Sequence, residues 1–126
     1  MKINAIVDRD LDVLYLYLAD SAIPARWDDT ADGLIAMRPA FEEKPCGLTI
    51  VGFKLGTHGS LKTLSEKVGR HLRVNASDVE SGLKIVLCGW KKQIRFTVRA
   101  SANDDSTFPF SASCYNAVKL FFGRWA

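Results

Sequence analysis

Residues Val13 to Ala19 read VLYLYLA, an uncharged run in which leucine and tyrosine alternate. Alternation at period two is the signature of a strand, whose side chains point to opposite faces in turn. Leu14, Leu16 and Leu18 fall on one face, and Val13, Tyr15 and Tyr17 on the other. Aromatic and β-branched residues favour this conformation. Such a strand needs apolar cover on both sides, so the fold must supply either two layers of cover or a partner.

The flanking segments read as a small sheet. Lys2–Val7 is a short strand, and Asp8–Asp12 a polar turn. Ser21–Asp32 reads as a loop with Pro24 and the acidic WDDTAD, followed by strands over Gly33–Arg38 and Gly47–Leu55. A charged turn, Glu42–Pro45, lies between those two strands. The spacings suit an antiparallel meander. Leu61, Leu64, Val68 and Leu72 recur at helical spacing, so Leu61–Arg73 is predicted to be an amphipathic helix capped by Ser60. Glu66 and Arg70 stand four apart on it, as an ion pair would require. Asn75–Gly82 reads as a polar connection with a single helical turn at Ser77-Asp78. A hairpin is expected from Leu83–Gly89 and Gln93–Ala100 around Trp90-Lys91-Lys92. In its second strand Ile94, Phe96 and Val98 face inward, while Gln93, Arg95, Thr97 and Arg99 face out. Ser111–Phe122 is predicted to be a final helix, with Tyr115, Val118 and Phe122 on one stripe. The fold class is therefore α+β: one domain, a mainly antiparallel sheet (a meander over residues 1–56 plus a later hairpin) and two amphipathic helices.

Composition narrows the function. A chain of 126 residues is the size of one domain. Its net charge of +3 is well short of the basic excess of a dedicated nucleic-acid binder. Cys46, Cys88 and Cys114 are widely spaced, with no C-x-x-C, so buried free thiols in a reducing compartment are expected. The start, MKINAIVDRD, has no apolar signal core, and no run of 18 apolar residues occurs, so a cytoplasmic location away from membranes is expected.

Four places carry candidate chemistry. Asp8, Asp10 and Asp12 open like a calcium loop, but Val13 stands where the sharp turn needs Gly and Ala19 where the bidentate Glu belongs. They read better as Asx-turn and strand-stop residues, and no metal or cofactor is implied. Gly52-x-x-x-Gly56-Thr57-His58-Gly59-Ser60 joins a strand to a helix through glycines, a geometry that can hold an anion on backbone N–H groups. Gly56, His58, Gly59, Ser60 and Lys62 are its candidate ligand residues. The alternative is a tight turn with His58 in solvent, since neither phosphate-loop pattern is present. Lys91, Lys92, Arg95 and Arg99 beside Trp90 form a basic strip, read as a solvated strand face and not a nucleic-acid platform. Of the two histidines, only His58 on its loop suits a catalytic role, and His71 falls on the polar side of the first helix near Lys67 and Arg70. The fourth place is an interface: Val13, Tyr15 and Tyr17, with Phe121, Phe122 and Trp125 near the end of the sequence. Tyr and Trp are frequent interface anchors, and closed homodimers are common.

The first half also resembles a known family. Asp8-x-x-x-Asp12-x-Leu14-Tyr15-Leu16-x-Leu18 is similar to the pattern Y-D-x-x-x-D-x-L-Y-I-x-L, which opens a widespread family of short bacterial proteins classed as a domain of unknown function. The likeness continues at Asp32-Gly33-Leu34-Ile35 and Val51-Gly52-Phe53-Lys54-Leu55, covering residues 3 to 56. Val7 stands where the family usually has Tyr, and Lys54 where it usually has Glu. The resemblance implies a bacterial or phage-like cytoplasmic protein with a small sheet meander and, for some members, small toxins as partners. The expected function is a non-enzymatic self-associating module, a homodimer or higher homo-oligomer, or a module binding another protein. The alternatives are a binder or enzyme for a small anionic ligand at Gly56–Lys62, and a toxin-neutralising partner.

Overall fold

The computed structural model describes residues 1–20, 22–89, 92–101, 110–111 and 113–114. Six strands form one sheet: β1 (Lys2–Asp8), β2 (Val13–Leu18), β3 (Arg26–Asp29), β4 (Ile35–Arg38), β5 (Gly47–Val51) and β6 (Gln93–Thr97). Their order is β3-β4-β5-β2-β1-β6, and every neighbouring pair is antiparallel. Two helices among the described residues, α1 (Leu61–Leu72) and α2 (Ala76–Cys88), complete an α+β fold.

The alternating strand lies in the middle of the sheet, flanked by β5 and β1. Its leucines meet Ile3, Ala5, Leu48 and Ile50 on the same face, and that face is covered by Leu64, Val68 and Leu72 of α1 and Val79, Leu83 and Val86 of α2. Phe96 of β6 and Val98 just beyond it close the far side. Each such side chain, fully buried, contributes about 1.5–3 kcal/mol before the entropy cost of ordering.

Local chemistry sets the helix ends. Ser60 caps α1 by accepting the Thr63 N–H at 3.1 Å, and Arg73, with φ of +58°, ends it in the left-handed conformation. Asn75 caps α2 by accepting the Asp78 N–H at 3.0 Å. Gly82 faces β6 from within α2. A Cβ there would lie 2.2 Å from the Phe96 ring, so only glycine lets the helix approach this closely.

Several expectations are corrected. The stretch 76–88 is one helix, not a connection followed by a strand, and β6 pairs with β1 instead of with 83–89. Val79, Leu83 and Val86 form the buried helical stripe, and the other residues of the run Leu83-Lys-Ile-Val-Leu-Cys88 are exposed on the helix. The loop expected over Ser21–Asp32 contains β3, an edge strand paired with β4. The strand begun at Gly47 stops at Val51, because Gly52 takes a φ of +74°. Arg70 reaches Asp32 at 3.7 Å instead of serving Glu66. Cys46 is buried, as expected, but Cys88 is exposed. Of the helix predicted over Ser111–Phe122, Ser111 lies in a short strand, β7 (Phe110–Ser111), and Ser113–Cys114 is another, β8, while residues 112 and 115–122 lie outside the described residues. Phe121, Phe122 and Trp125 lie outside the described residues, as do Trp90 and Lys91.

Candidate functional site: the helix-free face of the sheet

The second face of the sheet receives neither helix. Register places its residues in rows across the strands. One row runs Trp27, Met37, Gly47, Tyr17, Asn4, Arg95, and the next runs Asp29, Ile35, Thr49, Tyr15, Ile6, Gln93. The centre is partly covered by its own residues. A Cβ on Gly47 would fall 2.8 Å from the Met37 methyl and 3.4 Å from the Tyr17 ring, so both side chains fill the space over this glycine. Met37 and Thr49 are buried in consequence, while Tyr15 and Tyr17 are half-buried. Burial, then the neighbouring Tyr15 and Cys46, push the Tyr17 phenol above its ordinary range, so it stays protonated as a donor.

Around that centre large apolar side chains stand in solvent: Trp27 at 59% exposure, Val51 at 53% and Ile6 at 37%. The expected interface residues therefore divide. Tyr15 and Tyr17 are on the open face, as their alternation implies. Val13 shares the face but is already buried within the chain, and so supports the surface instead of forming it. Trp27 and Ile6 were not singled out from the sequence. Trp27 sits in what reads as an acidic loop, and only its pairing with Met37 shows that it belongs to this face.

The aspartate turn binds its own backbone. The Asp8 carboxylate accepts N–H bonds from Asp10 at 3.1 Å and Leu11 at 3.2 Å, an Asx-type turn. Asp12 has a φ of +52°, and its carboxylate accepts the N–H groups of Lys54 at 2.9 Å and Leu55 at 3.2 Å. Its carbonyl accepts those of Gly52 and Phe53. Among the described residues, no group of three or more His, Cys, Asp and Glu could hold a metal ion.

The glycine loop is likewise occupied with itself. His58 Nε2 donates to the Val51 carbonyl at 2.8 Å, and the Gly59 N–H to the Gly56 carbonyl at 3.1 Å. Ser60 Oγ is held by the Thr63 N–H and lies 3.0 Å from the Thr63 hydroxyl. Lys62 is exposed. The loop borders a cavity of about 180 Å³ whose walls include Phe53, Leu61, Leu64 and Leu87, a mostly apolar lining. The structure thus brings His58, Gly59 and Ser60 together, with the donors named above already partnered inside the chain.

One cluster links residues 39 apart in sequence. His71 Nε2 donates to the Asp32 carboxylate, 2.9 Å from one oxygen and 3.1 Å from the other. The Thr30 hydroxyl also donates to Asp32, and Lys67 Nζ reaches the Asp32 carbonyl at 3.2 Å. Burial works to raise the Asp32 carboxyl, but the bonds from Thr30 and His71 and the charge on His71 hold it below the usual carboxylate range. The arrangement resembles half of a catalytic triad, but the His71 and Lys67 contacts tie the β3–β4 turn to α1, and the Thr30 contact braces the turn itself.

The basic strip is broken up. Arg99 Nε donates to Asp78 at 2.8 Å, closing the start of α2 against the segment after β6. Arg95 Nε donates to Asn4 Oδ1 at 2.6 Å and lies on the open face. Lys92 is exposed, and its carbonyl accepts the Val7 N–H.

No helix among the described residues is long and apolar enough to cross a membrane. No protein-family model, no curated protein and no solved structure matches this chain.

Proposed function

We propose that the protein is a non-enzymatic self-associating module whose contact surface is the helix-free face of its sheet. One observation carries this reading. Both helices lie on one side, while the other side exposes Trp27, Val51 and Ile6 around half-buried tyrosines. A contiguous apolar patch edged by polar residues marks an interaction site on a soluble domain. Aromatic residues at its centre and charges at its edge match the anatomy of protein interfaces. The likeness of residues 3–56 to the bacterial family supports a bacterial, cytoplasmic setting, with small toxins among the partners worth testing. Light scattering on size-exclusion fractions tests the reading. At tens of micromolar the protein is expected to elute above its 14.0 kDa monomer mass, and Val51→Asp is expected to return it to the monomer, with urea unfolding equal to that of wild type diluted until it too is monomeric. A wild-type monomer at that concentration overturns the reading.

A further inference from the structure

The charge pattern at the two edges of the open face says how two copies would meet. Edge strand β3 presents Trp27 and Asp29 on this face, and edge strand β6 presents Gln93 and Arg95. Asp28 alternates to the other side, where Arg38 holds it at 2.9 Å. Asp29 is exposed and its side chain has no partner among the described residues. Arg95 is exposed too, with its Nε–H fixed on Asn4 of the same row. The face is thus acidic along one edge, basic along the other and aromatic between them. The sheet has three strands on each side of its midline, which falls between β5 and β2.

We infer that a second copy of this chain covers the open face about a two-fold axis that lies in the interface parallel to the strands. This rests on the self-association reading above and adds the occupant's orientation. A rotation about such an axis preserves position along the strands and exchanges the edges, so β3 of each copy lies over β6 of the other. Trp27 then falls opposite Arg95 of the second copy, a guanidinium over an indole face. Asp29 falls opposite Gln93 and about 7 Å along the strand from the row of Arg95, within reach of that long side chain. Tyr17 crosses to the row position of Gly47, over which Met37 and Tyr17 of the second copy already lie, so the centre of the contact is made between these side chains. An axis across the strands would instead set Asp29 near Asp29 and Arg95 near Arg95, like charges in a shared apolar contact. The charges therefore select one of the two ways of stacking the sheets, and stacking with strands nearly aligned is the ordinary geometry of two packed sheets.

Charge exchange tests the arrangement without touching the core. Asp29→Lys alone sets cation against cation at both edges, and Arg95→Asp alone sets anion against anion. Each variant by itself is expected to dimerise about tenfold more weakly than wild type, or worse. An equimolar mixture of the two is expected to recover the dimer as a heterodimer, because every edge contact between unlike copies is then attractive. Light scattering gives the masses, and native mass spectrometry separates heterodimer from homodimer. If wild type is a dimer, Val51→Asp is a monomer and both charge variants stay dimeric, the face is right and the orientation is wrong. If wild type and Val51→Asp are both dimers, the face itself is wrong. If wild type is a monomer, self-association and orientation fall together.

Discussion

Strand β2 carries two surfaces that differ in a single respect, what lies above them. Leu14 and Leu16 are fully buried beneath two helices, whereas Tyr15 and Tyr17, one residue along, have only their neighbours in the sheet for cover among the described residues. The leucine side is a core in which every contact is made within the chain. The tyrosine side is a sheet of half-buried rings, self-covered at Gly47 and open at its margins. Tyrosine suits that position because its ring packs while its hydroxyl keeps a partner in water. The difference teaches that a two-faced apolar strand does not imply a helix on each of its faces; one face can carry tyrosines that stay half-buried.

Substitutions measure the contrast. The largest effect is expected on the covered side: Leu16→Ala opens a cavity under α1 and α2 and should cost about 2–5 kcal/mol in urea unfolding. Gly82→Ala should cost about 1–3 kcal/mol, because the new methyl must displace the Phe96 ring. Alanine favours an exposed helix by about 1 kcal/mol over glycine, so a stabilised variant would show that α2 does not pack here. Asp32→Asn should cost about 1 kcal/mol near neutral pH by weakening its charged hydrogen bonds. The folded carboxyl lies below its unfolded value, so its contribution is complete above about pH 4 and is lost as pH falls through the folded value. Unfolding followed from pH 7 downward should therefore show a shallower acid limb for the variant than for wild type. On the open side, Trp27→Ser should change unfolding of the single chain by less than about 0.5 kcal/mol while weakening association. A large loss of chain stability from Trp27→Ser would erase the distinction between the two faces.

Period-two alternation made β2 and β6 readable in the sequence, together with the two faces of β2 and the inward side of β6. The open face was readable for the same reason, since Tyr15 and Tyr17 must point away from Leu16. What escaped has physical causes. Strand β3 is an edge strand exposed almost throughout, so it carries no apolar alternation to detect, and Trp27 was hidden with it. Helix α2 was split because a short run such as LKIVLC fits a buried strand as well as a helix. Gly82 reads as the end of a polar connection, whereas it is where α2 packs directly against the Phe96 ring. The Asp32–His71 tie joins a turn to a helix 39 residues away, and no local pattern encodes that distance.

The bonds to Asp12 have a consequence in time as well as in shape. Four successive amides, Gly52 to Leu55, end on this one residue. Lys54 and Leu55 are exposed, and loop amides in solvent ordinarily exchange their hydrogens quickly and independently. Here they are released only when Asp12 lets go, so all four should share one opening rate in native-state deuterium exchange. The turn that begins the central strand thus acts as the latch of a loop some forty residues downstream.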